Sequence, residues 1–201
     1  MGRPREHDLD VLLDHVKALW AEHGVSCVTI RALSKVSGVS NGAIYNAFGS
    51  RDNLLARTWS REAEQFLSFQ REAVDTALTN GDATSAVVAA ALAPSDYFSH
   101  DAPGARLLLT VTLDELARAN VGATERQQLR ARRRSLGLLI NQLAREVWGS
   151  ADDASVTFIK LCLVDLPSSL LLAGDRITDP LARVALERAV RGVLATPPPA
   201  G

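Results

Sequence analysis

The sequence predicts an all-α protein, on three observations. Apolar residues recur at helical spacing along the chain, and no stretch alternates as a strand does. Hydrophobic residues make up 47% of the 201 residues but aromatics only 5%, so Ala, Leu and Val do most of the packing, which favours helices over sheets. Capping and helix-stopping residues punctuate the segments, with no internal repeat and no low-complexity tract. The length allows one large domain or two small ones, with chain enough for a core.

Asp8 to His23 reads as the first helix, with Leu9, Leu12, Leu13, Val16, Leu19 and Trp20 as its apolar stripe and Gly24 as its stop. Thr29 is a good N-cap for the next helix, because its hydroxyl can accept from a free amide of the first turn. Ile30, Leu33 and Val36 give that helix one apolar face, and Gly38 stands where it must stop. Val39 points back inward and Ser40 caps another helix, from Asn41 to Ala47. This is the layout of a helix-turn-helix, whose second helix can enter the major groove of DNA.

Ser50 caps a long fourth helix, Arg51 to Leu78, with Leu54, Leu55, Trp59, Phe66, Phe69, Val74 and Leu78 in register. Asn80-Gly81-Asp82 is a turn. Four helical segments follow: Ala83 to His100, which Pro94 is expected to kink or break; Gly104 to Ala119; Thr124 to Trp148; and Asp153 to Ala173, almost wholly apolar with Pro167 inside it. Thr178 to Leu194 makes the last helix. Residues 196–201, TPPPAG, are expected to be disordered.

The stretch from Thr29 to Leu55 carries a constellation in register: Thr29, Ile30, Leu33, Gly38, Val39, Ser40, Gly42, Ile44, Tyr45, Phe48, Ser50 and Leu54, with a cation at Arg51. It resembles the DNA-binding domain of the TetR family of bacterial transcriptional regulators. The resemblance covers the first quarter to third of the chain; beyond it only length and helical character match. Four positions depart from the family pattern. Ala47 stands where histidine is common, Arg51 where lysine is usual, and Ser34 and Ser37 where alanines are usual. The histidine's loss removes one phosphate contact that the family pattern would supply.

A formal net charge of −1 hides a local bias. From Gly24 to Arg61 the cations are Arg31, Lys35, Arg51, Arg57 and Arg61, against Asp52 alone. One basic module on a near-neutral chain suits a DNA binder, since only that face must meet phosphate. In the recognition helix, Asn41 and Asn46 can hydrogen-bond base edges, Gly42 lets the backbone approach DNA, and the Ala43 methyl can meet a thymine methyl. Ile44 and Phe48 are expected to face inward. The resemblance implies that Tyr45 directs its hydroxyl to a phosphate. Thr29, Arg31, Ser40 and Arg51 are the other phosphate candidates, Arg51 aided by a helix N-terminus. Arg3 and Arg5 flank Pro4 in an arm that either reaches a minor groove or is a basic tail without fixed contact. Arg130, Arg132, Arg133 and Arg134 read as a solvated face pairing with nearby acids.

Cys27 and Cys162 form no disulfide framework and no zinc spacing, and read as small buried hydrophobes. His7, His15 and His23 lie eight residues apart, which is not a metal spacing. No metal, cofactor or membrane is expected, and MGRPREHD lacks the apolar core of a signal peptide, so the expected place is the cytoplasm. There is no nucleophile elbow and no phosphate loop, and Asp114 and Glu115 have no matched histidine, so no enzyme is expected.

The expected domains are 1–52, a helix-turn-helix DNA-binding domain, and 53–195, a ligand-binding and dimerisation domain. The helices of the second are greasier than a monomer needs, which leaves room for a homodimer through the last two helices or an internal cavity; the resemblance implies both. Candidates for a cavity are Trp59, Phe66, Phe69, Tyr97, Phe98, Leu109 and Leu113. Candidates for the seam are Leu163, Leu170, Leu186, Val190 and Val193. The resulting expectation is a repressor that binds a palindromic double-stranded operator as a homodimer and is released by a small apolar or amphipathic effector. A ligand-independent regulator or activator of the same fold is the alternative, and a helical enzyme a remote one.

Overall fold

The computed structural model describes residues 6–198. Arg3 and Arg5, and residues 199–201 of the tail, lie outside them. Among the described residues there is no strand. The helices are α1 Glu6–His23, α2 Ile30–Ser37, α3 Asn41–Phe48, α4 Arg51–Asn80, α5 Ala83–His100, α6 Ala102–Thr110, α7 Leu113–Arg118, α8 Ala123–Trp148, α9 Asp153–Lys160 and α10 Pro180–Leu194, with a 3₁₀ turn at Val25–Cys27.

The chain divides into two compact units. The first takes residues up to Glu64 together with Ala102–Arg132; the second takes Gln65–Asp101 and everything from Arg133 on. Residue 52 lies in the first turn of α4, a helix of 30 residues, and the division after Glu64 falls further along the same helix.

In the first unit Leu12, Val16 and Trp20 of α1 pack with Ile30, Leu33, Ile44, Phe48, Leu54 and Trp59, and the later residues Leu107, Leu116, Val121 and Leu129 complete that core. Burying these side chains is the main favourable term, at about 1.5–3 kcal/mol each. Both tryptophan N–H groups are satisfied: Trp20 donates to Thr110 Oγ1 at 2.8 Å and Trp59 to the Val111 carbonyl at 2.9 Å. That carbonyl lies in a break the apolar pattern did not show. The expected helix from Gly104 to Ala119 stops at Thr110 and restarts at Leu113, where Thr112 and Glu115 form a reciprocal capping box. The backbone and hydroxyl donors of Thr112 hold the Glu115 carboxyl below its ordinary value.

Among the described residues of this unit, the carboxylates of Glu62 and Glu125 are buried. Glu62 has Lys17 Nζ at 2.7 Å and Arg61 at 3.0 Å, and Arg61 also reaches Asp14 at 2.7 Å. Glu125 pairs with Arg57 at 2.7 Å. A buried charge without such partners would cost several kcal/mol. Arg132 pairs with Glu64 at 2.8 Å and is half-buried, unlike Arg130, Arg133 and Arg134, which are exposed.

The second unit is built of small aliphatic residues. Ala86, Val87, Ala90, Ala91 and Leu92 of α5 meet Leu139, Leu143 and Ala144 of α8, Ile159, Cys162 and Leu163, and Ala182, Leu186, Val190 and Leu194 of α10. Pro94 does not break α5. Proline lacks the N–H that would bond the carbonyl four residues back. Here the buried Gln70 side chain donates to that carbonyl, Ala90 O, at 2.8 Å. Around Pro167 the chain answers differently: it stays helical but widens into π-helical turns at Leu161–Asp165 and Ser168–Leu172. The stretch Asp153–Leu172 is long and apolar enough to cross a membrane by length and composition, with a mean hydropathy of 1.6, yet Ile159, Cys162, Leu163 and Leu171 are core residues of this unit.

Two further expectations change. Cys162 is buried, and burial pushes its thiol up to about 12, but Cys27 is exposed in the 3₁₀ turn. Val36 is 47% exposed, because only Ile30 and Leu33 of α2 face the core.

Candidate nucleic-acid interface

The paired helices are held by caps that the sequence spells out. Thr29 Oγ1 accepts from the Ala32 amide at 3.0 Å. Gly38 closes α2 in the left-handed conformation, φ 73°, and sends its N–H to Ser34 O. Ser40 Oγ accepts from the Ala43 amide at 3.3 Å and starts α3 two residues after Gly38. The serines at 34 and 37 are accommodated; Ser37 Oγ donates to Leu33 O and accepts from the Val39 amide.

In α3, Ile44 and Phe48 are buried and fix the helix to the core. That leaves Asn41, Gly42, Tyr45 and Asn46 exposed and Ala43 half-buried, with Tyr45 53% exposed. Thr29, Arg31, Lys35 and Ser40 are exposed on and beside α2. Gly42 is not required by the fold: it has no unusual φ, and a Cβ there would meet nothing within 4 Å. Lys35, exposed one turn after Arg31 on α2, is a further phosphate candidate.

Arg51 is the correction here. Its Nε donates to Val28 O and its Nη2 to Val25 O, so the guanidinium anchors α4 to the 3₁₀ turn. Two other cations of the basic stretch are likewise engaged inside the unit, Arg57 with Glu125 and Arg61 with Glu62 and Asp14. Within the stretch from Gly24 to Arg61, Arg31 and Lys35 are therefore the cations left on the surface.

The seven cavity candidates divide between the two units. Trp59, Leu109 and Leu113 belong to the first unit, Trp59 buried and Leu109 exposed. Phe66, Phe69 and Tyr97 cluster in the second, with Phe66 and Phe69 centroids 5.4 and 5.5 Å from Tyr97 and His100 stacked 5.4 Å from Phe69. Phe98 is half-buried in the same unit. An open groove of about 550 Å³ in that unit runs along Phe69, Ala73, Thr76 and Ala77, with Glu72 and Asn80 among its polar groups. Phe69 is the one candidate that lines it. Of the seam candidates, Leu163, Leu186 and Val190 are core residues of the single chain, because their stripe faces α5; Leu170 and Val193 are half-buried against that core. What α10 exposes is Leu181, at 78%, and Val184, at 44%. Among the described residues no three His, Cys, Asp or Glu side chains group as a metal site.

Residues 12–58 match the family model of the bacterial regulatory proteins, tetR family. Among curated proteins none matches the chain in sequence. Solved structures share its fold. The TetR family transcriptional regulator PfmR of Thermus thermophilus is 18% identical, with 92% of this chain and 97% of that one covered and a TM-score of 0.63. The transcriptional regulator FadR of Bacillus subtilis, solved with stearoyl-CoA, is 17% identical over 92% and 96%, TM-score 0.65. The regulator SCO7518 of Streptomyces coelicolor A3(2) is 18% identical over 94% and 99%, TM-score 0.67. The helix-turn-helix between Thr29 and Phe48 is part of the N-terminal domain of the TetR family of bacterial transcriptional regulators, carried on a helical chain with that family's fold.

Proposed function

We propose that this regulator binds a palindromic operator as a homodimer and releases it when a small apolar or amphipathic molecule enters the second unit. The observation that carries the DNA half is the exposed face of α3: Asn41, Gly42, Tyr45 and Asn46 stand free of the core while Ile44 and Phe48 lock the helix beneath them. Asparagine amides suit the N6 and N7 edge of adenine, and Arg31 and Lys35 lie on α2 beside them to meet phosphate. A DNA partner in a bacterial cell implies the cytoplasm.

The dimer half rests on unburied apolar surface. Leu181 and Val184 of α10 are exposed, and Val164, Leu166 and Leu170 of the stretch Asp153–Leu172 are only half-buried. An isologous pairing of these faces would set two recognition helices about 34–36 Å apart or somewhat more. The effector half rests on the aliphatic composition of the second unit and on the Bacillus FadR structure with stearoyl-CoA.

The test begins with duplexes enriched from a random pool by the full-length chain. Asn41→Ala and Asn46→Ala should each lose about 1–3 kcal/mol on the enriched sequence and relax one or two positions. Arg31→Ala should weaken all duplexes alike and lower the salt slope by about one unit. Equal weakening by the asparagine variants on enriched and scrambled DNA would remove them from base readout.

A further inference from the structure

The recognition helix is tied to a part of the chain that no helix-turn-helix motif includes. Asn53, in the first turn of α4, donates from Nδ2 to Phe48 O, the last residue of α3, at 2.9 Å. Its Oδ1 accepts from the Gly122 amide at 2.8 Å, one residue before α8 begins. One turn further along α4, Arg57 pairs with the buried Glu125 at 2.7 Å and lies with its guanidinium carbon 5.5 Å from the Phe48 ring centroid, within cation–π range. Further on, Glu64 meets Arg132 at 2.8 Å. The pairs 53·122, 57·125 and 64·132 keep almost one register, as two helices running side by side in the same direction require. A Cβ on Gly122 would fall 2.6 Å from Glu125 Oε2 and 3.5 Å from Asn53 Nδ2, so the join is closely fitted. All of these residues belong to the first unit.

We propose that Asn53 and the Arg57–Glu125 pair are positioning residues for operator binding, which hold the C-terminal end of the recognition helix in fixed register with the first turn of α8. Phe48 is the common point: its carbonyl is held by Asn53 and its ring is covered by Arg57. Both holders answer to α8, one through Gly122 and one through Glu125. Hydrogen bonds are directional where apolar contacts are not, so this join fixes an angle as well as a distance. A shift of the α8 start therefore carries the end of α3 with it. Neither Asn53 nor Arg57 needs to touch DNA for this.

The proposal rests on the DNA-binding reading, and the experiment separates the two. Full-length chain first enriches an operator from a random duplex pool; if no sequence is enriched, the DNA-binding reading fails and this one with it. With an operator in hand, affinity is measured on it and on a scrambled duplex, with helix content followed by circular dichroism. Asn53→Ala should lose roughly tenfold or more on the operator and change little on the scrambled duplex, because only specific binding needs the helix at one angle. Arg57→Glu should behave likewise, and the exchange Arg57→Glu with Glu125→Arg should recover most of the loss, as coupled residues do. If the charge-reversed variant does not fold, Glu125→Gln replaces it and should lower the ratio of operator to scrambled affinity. Operator binding by Asn53→Ala within about twofold of the parent, or equal loss on both duplexes, overturns the proposal, since a merely structural role changes the melting temperature without changing that ratio.

Discussion

The two units of this chain bury comparable apolar clusters but close them by different means. In the first, the buried carboxylates of Glu62 and Glu125 each have a cation within 3 Å, and both tryptophans place their N–H on a named acceptor. In the second, the core is mostly alanine, valine, leucine and isoleucine, and among its buried polar groups Gln70 and Ser95 each send a hydrogen bond to a backbone carbonyl, Ala90 O and Ile177 O. The ion pairs Arg183–Asp96 and Arg191–Glu187 of that unit are partly exposed. Charge pairs and hydrogen bonds have preferred directions; aliphatic packing mainly has a preferred volume. A unit that must present a helix at one angle benefits from the first kind. A unit proposed to accept an apolar guest is served by the second.

The sharpest way to break this contrast is to place a charge within the aliphatic core of the second unit. Leu186→Glu buries an unpaired carboxylate there and should prevent that unit from folding, seen as lost helical signal and early proteolysis. Leu181→Glu, on the exposed side of the same helix, should leave the fold intact. Sedimentation of that variant then reports whether this face joins two copies. In the first unit the corresponding change is removal of a charge. Glu62→Ala leaves Lys17 and Arg61 without their buried partner and should cost about 3 kcal/mol in urea unfolding. A loss under about 1 kcal/mol would mean that the pair matters no more than a surface bridge.

A smaller change separates fold from function within α3. Gly42→Ala puts a better helix former where space is open, so stability should rise by up to about 1 kcal/mol. Operator affinity should fall nevertheless, because the added methyl stands on the exposed face. A variant both more stable and equally tight in binding would mean that no DNA backbone approaches there.

The smallest effect is a matter of pH. Asp82 caps α5; hydrogen bonds from Ser85, the backbone amide first, hold its carboxyl below the ordinary value of 3.8. The folded value is depressed, so the cap's stabilisation is fully present above 3.8 and is lost as pH falls through the folded value. Asp152 at the start of α9 has the same arrangement with the Ser155 amide and the Ser150 hydroxyl. Asparagine caps without a charge to titrate. The melting temperatures of the parent and of Asp82→Asn should therefore draw together as pH is lowered through this range, and a constant difference would show that the charge is not what caps.

Much of the fold was legible because its signals are local. Thr29, Gly38, Ser40 and Ser50 act within three or four residues of themselves, and each sits where its chemistry placed it. The break at Thr112 was also written in the sequence, as Thr-x-x-Glu, but inside a run of apolar residues that continued the helical period. Other features depend on partners far along the chain. Arg51 reads as a free cation until Val25 and Val28 turn their carbonyls to it, and Pro94 reads as a break until Gln70 satisfies Ala90. The spacing of Leu186 and Val190 marks an apolar stripe on α10; which body covers it depends on where α5 lies, and periodicity carries no such information.

The first unit is assembled from two separate stretches of chain, and this bears on how the protein is made and how it can be taken apart. The recognition helix leaves the ribosome well before Leu107, and still longer before Leu116, Val121 and Leu129, the side chains that complete its core. Until they arrive, Trp20 and Trp59 have no Thr110 and no Val111 to receive their N–H groups. A DNA-reading head transplanted as residues 1–52, the cut that motif boundaries invite, would leave that core open. A working graft has to carry residues 102–132 along with it.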